Sequence, residues 1–430
     1  MKKFLSVLLA FFLSASLFAQ EDFSVLDSKL DEYISALEGE SAEVKQQECD
    51  IIISSCSTDA VRDHIARKLY SHFISSRLMG DDAVAIYLTD NWFSPGKASL
   101  GSEVELMNAR IFADFNRSSL IGRPAPELML QDPSGQWRDA LPKDGRQKVL
   151  LFHDTDCSTC KLQNALLKHF FSKDAFVLDF ISVYAGSDAK AWEKYCKETE
   201  SYKTGRIRVF NYWDPEVSSD YPLKYGVMST PKMFLIDPEG EIAGRELDAL
   251  SLETLLTARK EAFKQVTSEM LFTLWESPDE QSRLSAEYVA DSLVLSRPDI
   301  WDTREDTLKV VGMASLVKDM MSRAAIGSRM PSLRVRGTLL RSCGSRTLRR
   351  RLDRLCGETR VIFYSPTCNT CKGLLESLSP AKGERYFLVD IDSQSPEVQE
   401  SLLESFDLSV LPHVILVDRK GTVLRKYMAL

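Results

Sequence analysis

The chain has 430 residues, of which 44% are hydrophobic and 27% charged. This composition is ordinary for a globular protein, and the length is sufficient for several domains. The formal net charge of −8 gives no reason to expect nucleic acid as a partner.

The first residues have the layout of a secretory signal. Two lysines precede an apolar run from Phe4 to Phe18, and small and polar residues follow it. We therefore expect a signal peptide over residues 1–19 and a soluble, exported mature chain in a Gram-negative periplasm. An uncleaved membrane anchor is the alternative, but the run is shorter than the ~20 residues that span a bilayer. The mature chain shows no stretch that predicts a transmembrane segment.

Residues 20–118 are predicted to form an all-helical domain. Apolar residues such as Leu26, Leu30 and Ile34 recur three and four positions apart, which is the helical period. The segment contains no catalytic constellation. We expect an accessory or recognition domain.

A pair of cysteines at a strand-to-helix turn dominates the next segment. Val149–Phe152 is an apolar run typical of a buried strand, and Cys157 and Cys160 open a helical pattern. Free N–H groups and partial positive charge at a helix N-terminus stabilise a thiolate on Cys157. Cys160, one turn further into the helix, can then resolve a mixed disulfide. We expect both cysteines to be catalytic.

The remainder of residues 119–265 alternates between predicted strands and helices, which favours an α/β layer with parallel strands. Pro231 stands immediately before a predicted strand, and Asp237–Gly240 predicts a hairpin turn. Residues 266–325 are predicted to be a helical connector.

The C-terminal part repeats this organisation. The entry at Ile326-Gly327 matches the entry at Ile121-Gly122, and a second pair of cysteines again follows an apolar strand. Such self-similarity indicates an internal duplication. The second copy spans residues 326–430, and its cysteines and proline lie closer together in sequence because one strand–helix unit is missing. Its predicted catalytic residues are Cys368 and Cys371.

Residues 119–265 resemble the thioredoxin-like domains of TlpA/ResA-type thiol-disulfide oxidoreductases. The resemblance lies in the Ile-Gly-x-x-x-Pro entry, the order strand–CxxC–helix and the Thr-Pro before a hairpin strand. Residues 326–430 resemble a second, shorter thioredoxin-like domain, and residues 20–118 resemble a helical domain of unknown function that precedes such domains in some envelope proteins. The resemblance implies an α/β fold with two central mixed sheets flanked by helices. It also implies a cis-proline beside each cysteine pair, in a substrate groove shaped by Thr230, Pro231, Leu411 and Pro412.

Two positions depart from the family pattern. Thr159 stands between the cysteines where the family often has proline. Gln163 stands three residues after Cys160, where a TlpA-type domain often has a proton-accepting glutamate. Glutamine cannot titrate, so a proton relay in the first domain is in doubt. His153 is a candidate substitute, although a bystander role is favoured.

Nine cysteines are present, and an odd total leaves at least one thiol unpaired in a monomer. A zinc ribbon needs two CxxC pairs in one small knuckle, whereas these pairs belong to separate copies, so we expect no metal site. The other five cysteines are expected to be structural or incidental, with Cys343–Cys356 the favoured extra disulfide; they are Cys49, Cys56, Cys196, Cys343 and Cys356.

Arginines are concentrated just before the second cysteine strand. A solvated helical face is the favoured interpretation. The alternatives are a docking patch for an acidic partner and, if the cluster folds near Cys368, a contribution to a lower pKa of that thiol. The cluster comprises Arg346, Arg349, Arg350, Arg351 and Arg354.

These observations predict a periplasmic thiol-disulfide oxidoreductase with two CxxC sites. It would act on proteins that carry thiols or disulfides and would require no cofactor. The TlpA-type resemblance implies a reductase, fed by a membrane electron donor, more than an oxidase. A non-enzymatic envelope binding or scaffold protein is the alternative. A peroxiredoxin-like peroxidase is less favoured, because Thr155-Asp156-Cys157 lacks the frame of a peroxidatic cysteine.

Overall fold

The structure is a computed structural model that describes residues 23–277 and 279–427. The predicted signal peptide therefore lies outside the described residues. The chain divides into two compact units, residues 1–256 and 257–430. This division is coarser than the domain boundaries placed at residues 118, 265 and 325, which stay predictions.

The first unit begins with a helical region, as predicted. Hydroxyl side chains at three N-cap positions accept hydrogen bonds from the backbone N–H three residues later, which satisfies donors that a helix leaves free. Apolar residues one helical turn apart, including Ile65 and Leu69, form the core of this region. The helices are α1 (Ser24–Ala36), α2 (Ala42–Ser54), α3 (Asp59–Ser75), α4 (Asp81–Leu88) and α5 (Glu103–Asn116).

A seven-stranded mixed sheet follows, in the order β2-β1-β5-β4-β3-β6-β7. Strands β3, β4 and β5 are parallel, and β6 lies antiparallel beside β3. The strands are β1 (Met129–Gln131), β2 (Trp137–Asp139), β3 (Lys148–His153), β4 (Leu178–Tyr184), β5 (Ile207–Trp213), β6 (Lys232–Ile236) and β7 (Ile242–Arg245). The helices are α6 (Ser158–Ser172), α7 (Ala189–Thr199), α8 (Tyr221–Lys224) and α9 (Ala249–Glu276). The division between the two units falls within α9.

Strand β3 forms the centre of this sheet because both of its faces are apolar. Val149 and Leu151 pack into the core on one face, while Leu150 and Phe152 pack into the core on the other. All four side chains are buried, and burying each stabilises the fold by about 1.5–3 kcal/mol. The apolar run is therefore a strand covered on both sides, as parallel central strands are.

The second unit contains further helices and a six-stranded mixed sheet, in the order β13-β12-β10-β11-β8-β9. Its helices are α10 (Glu280–Tyr288), α11 (Arg304–Asp306), α12 (Gly312–Ser322), α13 (Asn369–Ser377) and α14 (Pro396–Ser405). Its strands are β8 (Arg334–Arg341), β9 (Gly344–Arg351), β10 (Thr359–Tyr364), β11 (Tyr386–Asp390), β12 (His413–Val417) and β13 (Val423–Lys426). The predicted class of two mixed sheets flanked by helices, with a helical N-terminal region, is confirmed.

The two sheets share a common arrangement. Strand β10 lies parallel to β11 and antiparallel to β12, as β3 lies with β4 and β6. The entry segments are also equivalent, since isolated bridges join Pro124 to Glu241 and Arg329 to Thr422. In the second sheet the hairpin β8–β9 stands beside β11, at the place where the first sheet has the additional strand β5.

The prediction that the arginine cluster lies on a helical face is wrong. Residues 346–351 lie in strand β9, which pairs with β8 along its whole length. The segment has a single leucine and hence no apolar stripe of helical period to bury. Backbone hydrogen bonding to a neighbouring strand therefore decides its conformation.

No helix of the described residues is long and apolar enough to cross a membrane.

Candidate dithiol sites

The first cysteine pair lies where β3 gives way to α6. Cys157 is the N-cap residue of α6, and its Sγ accepts a hydrogen bond from the N–H of Cys160 at 3.1 Å. An N-cap side chain normally supplies oxygen to these free N–H groups. Here a sulfur takes that place, so the helix N-terminus is directed at the sulfur.

The loop before the neighbouring strand β6 reaches the same sulfur. The Thr230–Pro231 peptide bond is cis, and the Cys157 thiol donates to the Thr230 carbonyl oxygen, at 3.4 Å. The loop arrives there because β6 is antiparallel to β3, with Lys232 opposite Phe152. Cys157, Cys160, Thr230 and Pro231 are thus brought together.

The two thiols have different environments. Burial by itself would raise the pKa of Cys157, but hydrogen bonds that its sulfur accepts from Cys160 and from the side chain of Thr230 hold that pKa below the ordinary cysteine value. Cys160 is fully buried, and burial raises the pKa of its thiol to about 11. Cys157 is therefore the thiol that ionises first, and it is the one that solvent reaches.

Gln163 has a structural role. Its Oε1 accepts a hydrogen bond from the N–H of Ala249 at 2.8 Å, at the first residue of α9. The glutamine therefore caps a free N–H group of that helix. A side chain without a titratable proton is sufficient for this contact.

His153 is unsuited to accept the proton of Cys160. Its side chain is fully buried, and its ring lies 4.0 Å from the ring of Tyr195. Neither ring nitrogen has a hydrogen-bond partner among the described residues. Burial lowers the pKa of His153 to about 3, so the imidazole is neutral and a weak base at physiological pH.

An open cleft of ≈ 710 Å³ lies beside the first site, between one face of α6 and one face of α7. Lys161, Asn164 and Lys168 line it from α6, three and four positions apart, while Lys194 and Tyr195 line it from α7. The cleft is not apparent from the sequence, because the helical spacing of those polar residues predicts only an exposed face.

The second cysteine pair has the same geometry. Cys368 is the N-cap residue of α13, and its Sγ accepts from the N–H of Cys371 at 3.1 Å. The same sulfur lies 3.6 Å from the carbonyl oxygen of Leu411, and the Leu411–Pro412 peptide bond is cis. Here the two cysteines are joined as a disulfide, whereas Cys157 and Cys160 are free thiols.

A short polar network fixes the loop that leads to Cys368. The Ser365 hydroxyl donates to the Asp392 carboxylate at 2.6 Å and shares a hydrogen bond with the Thr367 hydroxyl at 2.7 Å. Ser365 also accepts from the N–H of Thr367. Asp392 was not identified from the sequence, because only the parallel pairing of β10 with β11 brings it to this loop.

Behind the second site lies a buried charged cluster. Arg283 of α10 is fully buried and reaches Asp407, in the loop before Pro412, with Nη1 and Oδ2 3.5 Å apart. The Tyr427 hydroxyl donates to the same carboxylate. The ring of Tyr427 packs edge-on against His413, with centroids 4.7 Å apart. A helix of the predicted connector therefore contacts the loop that carries Pro412.

The five remaining cysteines are free thiols, so the expected Cys343–Cys356 disulfide is wrong. Cys343 lies in the turn between β8 and β9, and Cys356 lies beyond the far end of β9. A strand rises about 3.4 Å per residue, so the eight residues of β9 hold the two thiols much further apart than the ~7 Å between Cα atoms that a disulfide tolerates.

A family model described as thioredoxin-like matches residues 145–242. That range contains Cys157, Cys160 and the Thr230–Pro231 bond. No curated protein matches the chain.

The chain is similar to several solved bacterial structures. The thioredoxin domain of a thiol-disulfide oxidoreductase from Bacteroides vulgatus is 23% identical, with a TM-score of 0.27 over 31% of this chain and 96% of that chain. A thiol-disulfide oxidoreductase from Bacteroides fragilis is 21% identical, with a TM-score of 0.26 over 31% of this chain and 97% of that chain. A thioredoxin-like protein from Bacteroides caccae is 15% identical, with a TM-score of 0.33 over 51% of this chain and 86% of that chain.

The family match covers the strands, the cysteine helix and the proline loop that build the first site. Residues 145–242 are a thioredoxin-like domain.

Proposed function

We propose that the chain is an exported thiol-disulfide oxidoreductase that works through two CxxC sites, Cys157–Cys160 and Cys368–Cys371, and acts as a reductase. The observation that carries the proposal is the position of the Cys157 sulfur. It accepts the N–H of Cys160 at 3.1 Å and lies 3.4 Å from the Thr230 carbonyl oxygen. A partly exposed thiol of lowered pKa, one helical turn from a buried thiol, has the arrangement that disulfide exchange needs.

The reaction proceeds by two displacements at sulfur. The Cys157 thiolate attacks one sulfur of a substrate disulfide, which forms a mixed disulfide and releases the other substrate sulfur as a thiolate. The Cys160 thiol then loses its proton and attacks the Cys157 sulfur, which breaks the mixed disulfide and releases the second substrate sulfur as a thiolate. The products are a substrate dithiol and a Cys157–Cys160 disulfide, so two electrons pass from the enzyme to the substrate.

The proton of Cys160 needs an acceptor, because burial raises the pKa of that thiol to about 11. His153 is too weak a base and Gln163 cannot titrate, so we assign the proton to the substrate sulfur that becomes a thiolate as the mixed disulfide breaks. The second site would follow the same steps with Cys368 as attacking and Cys371 as resolving residue. A membrane electron donor would return both sites to the dithiol state.

One observation favours a second candidate, a non-enzymatic envelope scaffold. Gln163 caps α9 instead of serving as an acid beside Cys160, so the first domain could retain the fold for binding alone. The two candidates differ in whether the cysteines form covalent intermediates with other proteins.

Trapping of mixed disulfides in the periplasm tests the proposal. In the Cys160→Ser and Cys371→Ser variants the resolving thiol is absent, so Cys157 and Cys368 are expected to accumulate protein adducts that a reductant releases. Variants that also carry Cys157→Ser or Cys368→Ser are the matched controls and should form none. If the single variants form no more adducts than these controls, the proposal is wrong.

A further inference from the structure

The hairpin β8–β9 concentrates positive charge in a chain whose net charge is −8. Its two strands contain seven arginines and no acidic residue, and six of these arginines are exposed. Arg351 forms an ion pair with Asp353 at 2.8 Å. Within residues 23–277 and 279–427, none of the other six guanidinium groups has a carboxylate within ion-pair distance; they belong to Arg334, Arg336, Arg341, Arg346, Arg349 and Arg350.

The pairing of the strands places like charges opposite each other. Arg334 faces Arg351, and Arg336 faces Arg349, across the antiparallel ladder. Side chains of directly opposed residues lie about 4.5–5.5 Å apart at Cβ, and like charges there destabilise the pair. The hairpin therefore holds a repulsive arrangement that a negatively charged partner would relieve.

Strand β9 is also an open edge. It ends the second sheet, with β8 as its strand neighbour. The side-chain amide of Gln394 binds both the N–H and the C=O of Arg336, at 3.0 and 2.9 Å. These backbone groups therefore point away from β9, and Arg336 and Arg349 form a non-hydrogen-bonded pair. The N–H and C=O of Arg349 consequently point to the open edge. Those of Thr347 do so as well, because backbone groups two residues apart on a strand point in the same direction.

Side chains of this edge project from both faces of the sheet. Arg349 lies on one face and Arg346 and Arg350 lie on the other, because successive residues of a strand alternate. A flat anionic membrane could meet only one of these faces. An added strand would meet both, with its own backbone bonded to the edge and its alternate side chains beside the arginines.

We propose that the edge of β9 is a docking site for an extended acidic protein segment that adds to the sheet as a further strand. Carboxylates at alternate positions of that segment would meet the guanidinium group of Arg349 on one face and those of Arg346 and Arg350 on the other. The planar guanidinium fork suits a carboxylate in two-bond geometry. This docking does not depend on disulfide exchange, since it uses no cysteine.

The test measures binding of a fluorescent peptide of alternating Glu and Thr to the full chain, by anisotropy at low and at physiological salt. We expect saturable binding that weakens with salt, and at least about tenfold weaker binding by the R346E/R349E variant. The matched control reverses two exposed arginines elsewhere in the same unit, Arg304→Glu and Arg419→Glu, and should retain the affinity. Equal losses in both variants would mean that net charge alone attracts the peptide and would overturn the proposal.

A backbone variant tests strand addition separately. Thr347→Pro retains every arginine but removes an edge N–H that does not pair with β8, and Thr347→Val controls for the lost hydroxyl. We expect the proline variant to bind at least about tenfold more weakly than the valine variant. Equal affinities would overturn strand addition. Binding to phosphatidylserine vesicles provides a further test. If the chain binds these vesicles, the peptide does not displace them and R346E/R349E abolishes the binding, the edge serves a membrane and the proposal is overturned.

Discussion

Arg245 and Asp82 form an ion pair, with Nη1 and Oδ2 2.6 Å apart, although the arginine side chain is only 2% exposed. Arg245 also donates to Oδ1 of Asn116 at 2.6 Å. Lys232, which follows Pro231, donates to the same oxygen at 3.4 Å. The N-terminal helices are therefore bonded to the end of β7 and to the residue after the proline of the first site.

We predict that Asp82→Ala destabilises the first unit by about 3–5 kcal/mol, because the buried Arg245 guanidinium loses its nearest carboxylate and retains only the exposed Glu246, 3.8 Å away. Asp59→Ala is the control, since Asp59 is exposed and pairs with Arg62 on the helix surface, where such a pair contributes about 0–1 kcal/mol. Urea unfolding followed by tryptophan fluorescence measures both. Similar small losses in the two variants would contradict a buried ion pair.

The second unit has a comparable contact at an equivalent position. Lys426 ends β13 as Arg245 ends β7, and both side chains are buried. The ammonium group of Lys426 donates to the carbonyl oxygen of Met321, at the end of α12, at 2.6 Å. In each unit, then, a buried cation at the end of the last strand is bonded to the preceding helices.

We predict that Arg283→Ala costs the second unit about 3–5 kcal/mol, because Asp407 remains buried and loses its cation. The guanidinium also lies 3.8 Å from the ring centroid of Trp275, and this contact is lost as well. Arg297→Ala removes an exposed pair with Asp299 and is the control. A comparable midpoint of urea unfolding for the two variants would show that α10 is not needed to hold the loop before Pro412.

The two thiols of the first site should titrate far apart. In the reduced Cys160→Ser variant, the alkylation rate of Cys157 by iodoacetamide should rise with pH and reach half its maximum at a lower pH than in the urea-unfolded chain, because hydrogen bonds stabilise the thiolate. In the Cys157→Ser variant, Cys160 should react only as the pH nears 11. The urea-unfolded chains are the controls, and coincident profiles of folded and unfolded Cys157 would contradict the geometry.

His153 should make the first unit less stable in acid. Burial lowers the pKa of His153 to about 3 in the folded state, whereas an unfolded histidine titrates near 6.5. Between these values the unfolded chain binds one proton more than the folded chain. Stability therefore falls as the pH falls through this range, by up to about 1.4 kcal/mol per pH unit. Above pH 6.5 His153 is neutral in both states, and the free energy of unfolding no longer depends on its protonation.

Urea unfolding from pH 7 to pH 4 checks this dependence. His153→Phe should reduce the slope of the free energy of unfolding against pH by about 1.4 kcal/mol per pH unit, which corresponds to one proton. His169→Gln, which alters an exposed ring, is the control. An unchanged slope in His153→Phe would mean that His153 is protonated in the folded chain.

The dithiol sites were predictable because their signals are local in sequence. Cys157 and Cys368 each follow an apolar strand and open a helix, and Pro231 and Pro412 each precede a strand. A strand-to-helix turn with an N-cap cysteine needs little information from the rest of the chain. The period of the apolar residues was likewise sufficient to predict the helical N-terminal region and an α/β layer, whereas the two mixed sheets followed from the resemblance to thioredoxin-like domains.

Features that depend on distant contacts were not predictable. Arg283 and Asp407 meet only when α10 packs beside the loop before Pro412, and neither residue stands in a motif. Arg346–Arg351 forms a strand because β8 lies next to it, which a charged segment does not signal. The position of Cys343 in a turn, with β9 between it and Cys356, likewise follows from that hairpin.

Turnover of insulin disulfides measures dithiol exchange at Cys157 and Cys368. The reduced chain, supplied with dithiothreitol, should accelerate insulin reduction, and the Cys157→Ser/Cys368→Ser double variant should fall to the rate of dithiothreitol alone, with each single variant between the two. Retention of the double variant's fold is checked by circular dichroism. If wild type and the folded double variant reduce insulin at the same rate, dithiol exchange at these two sites is not the function of this chain.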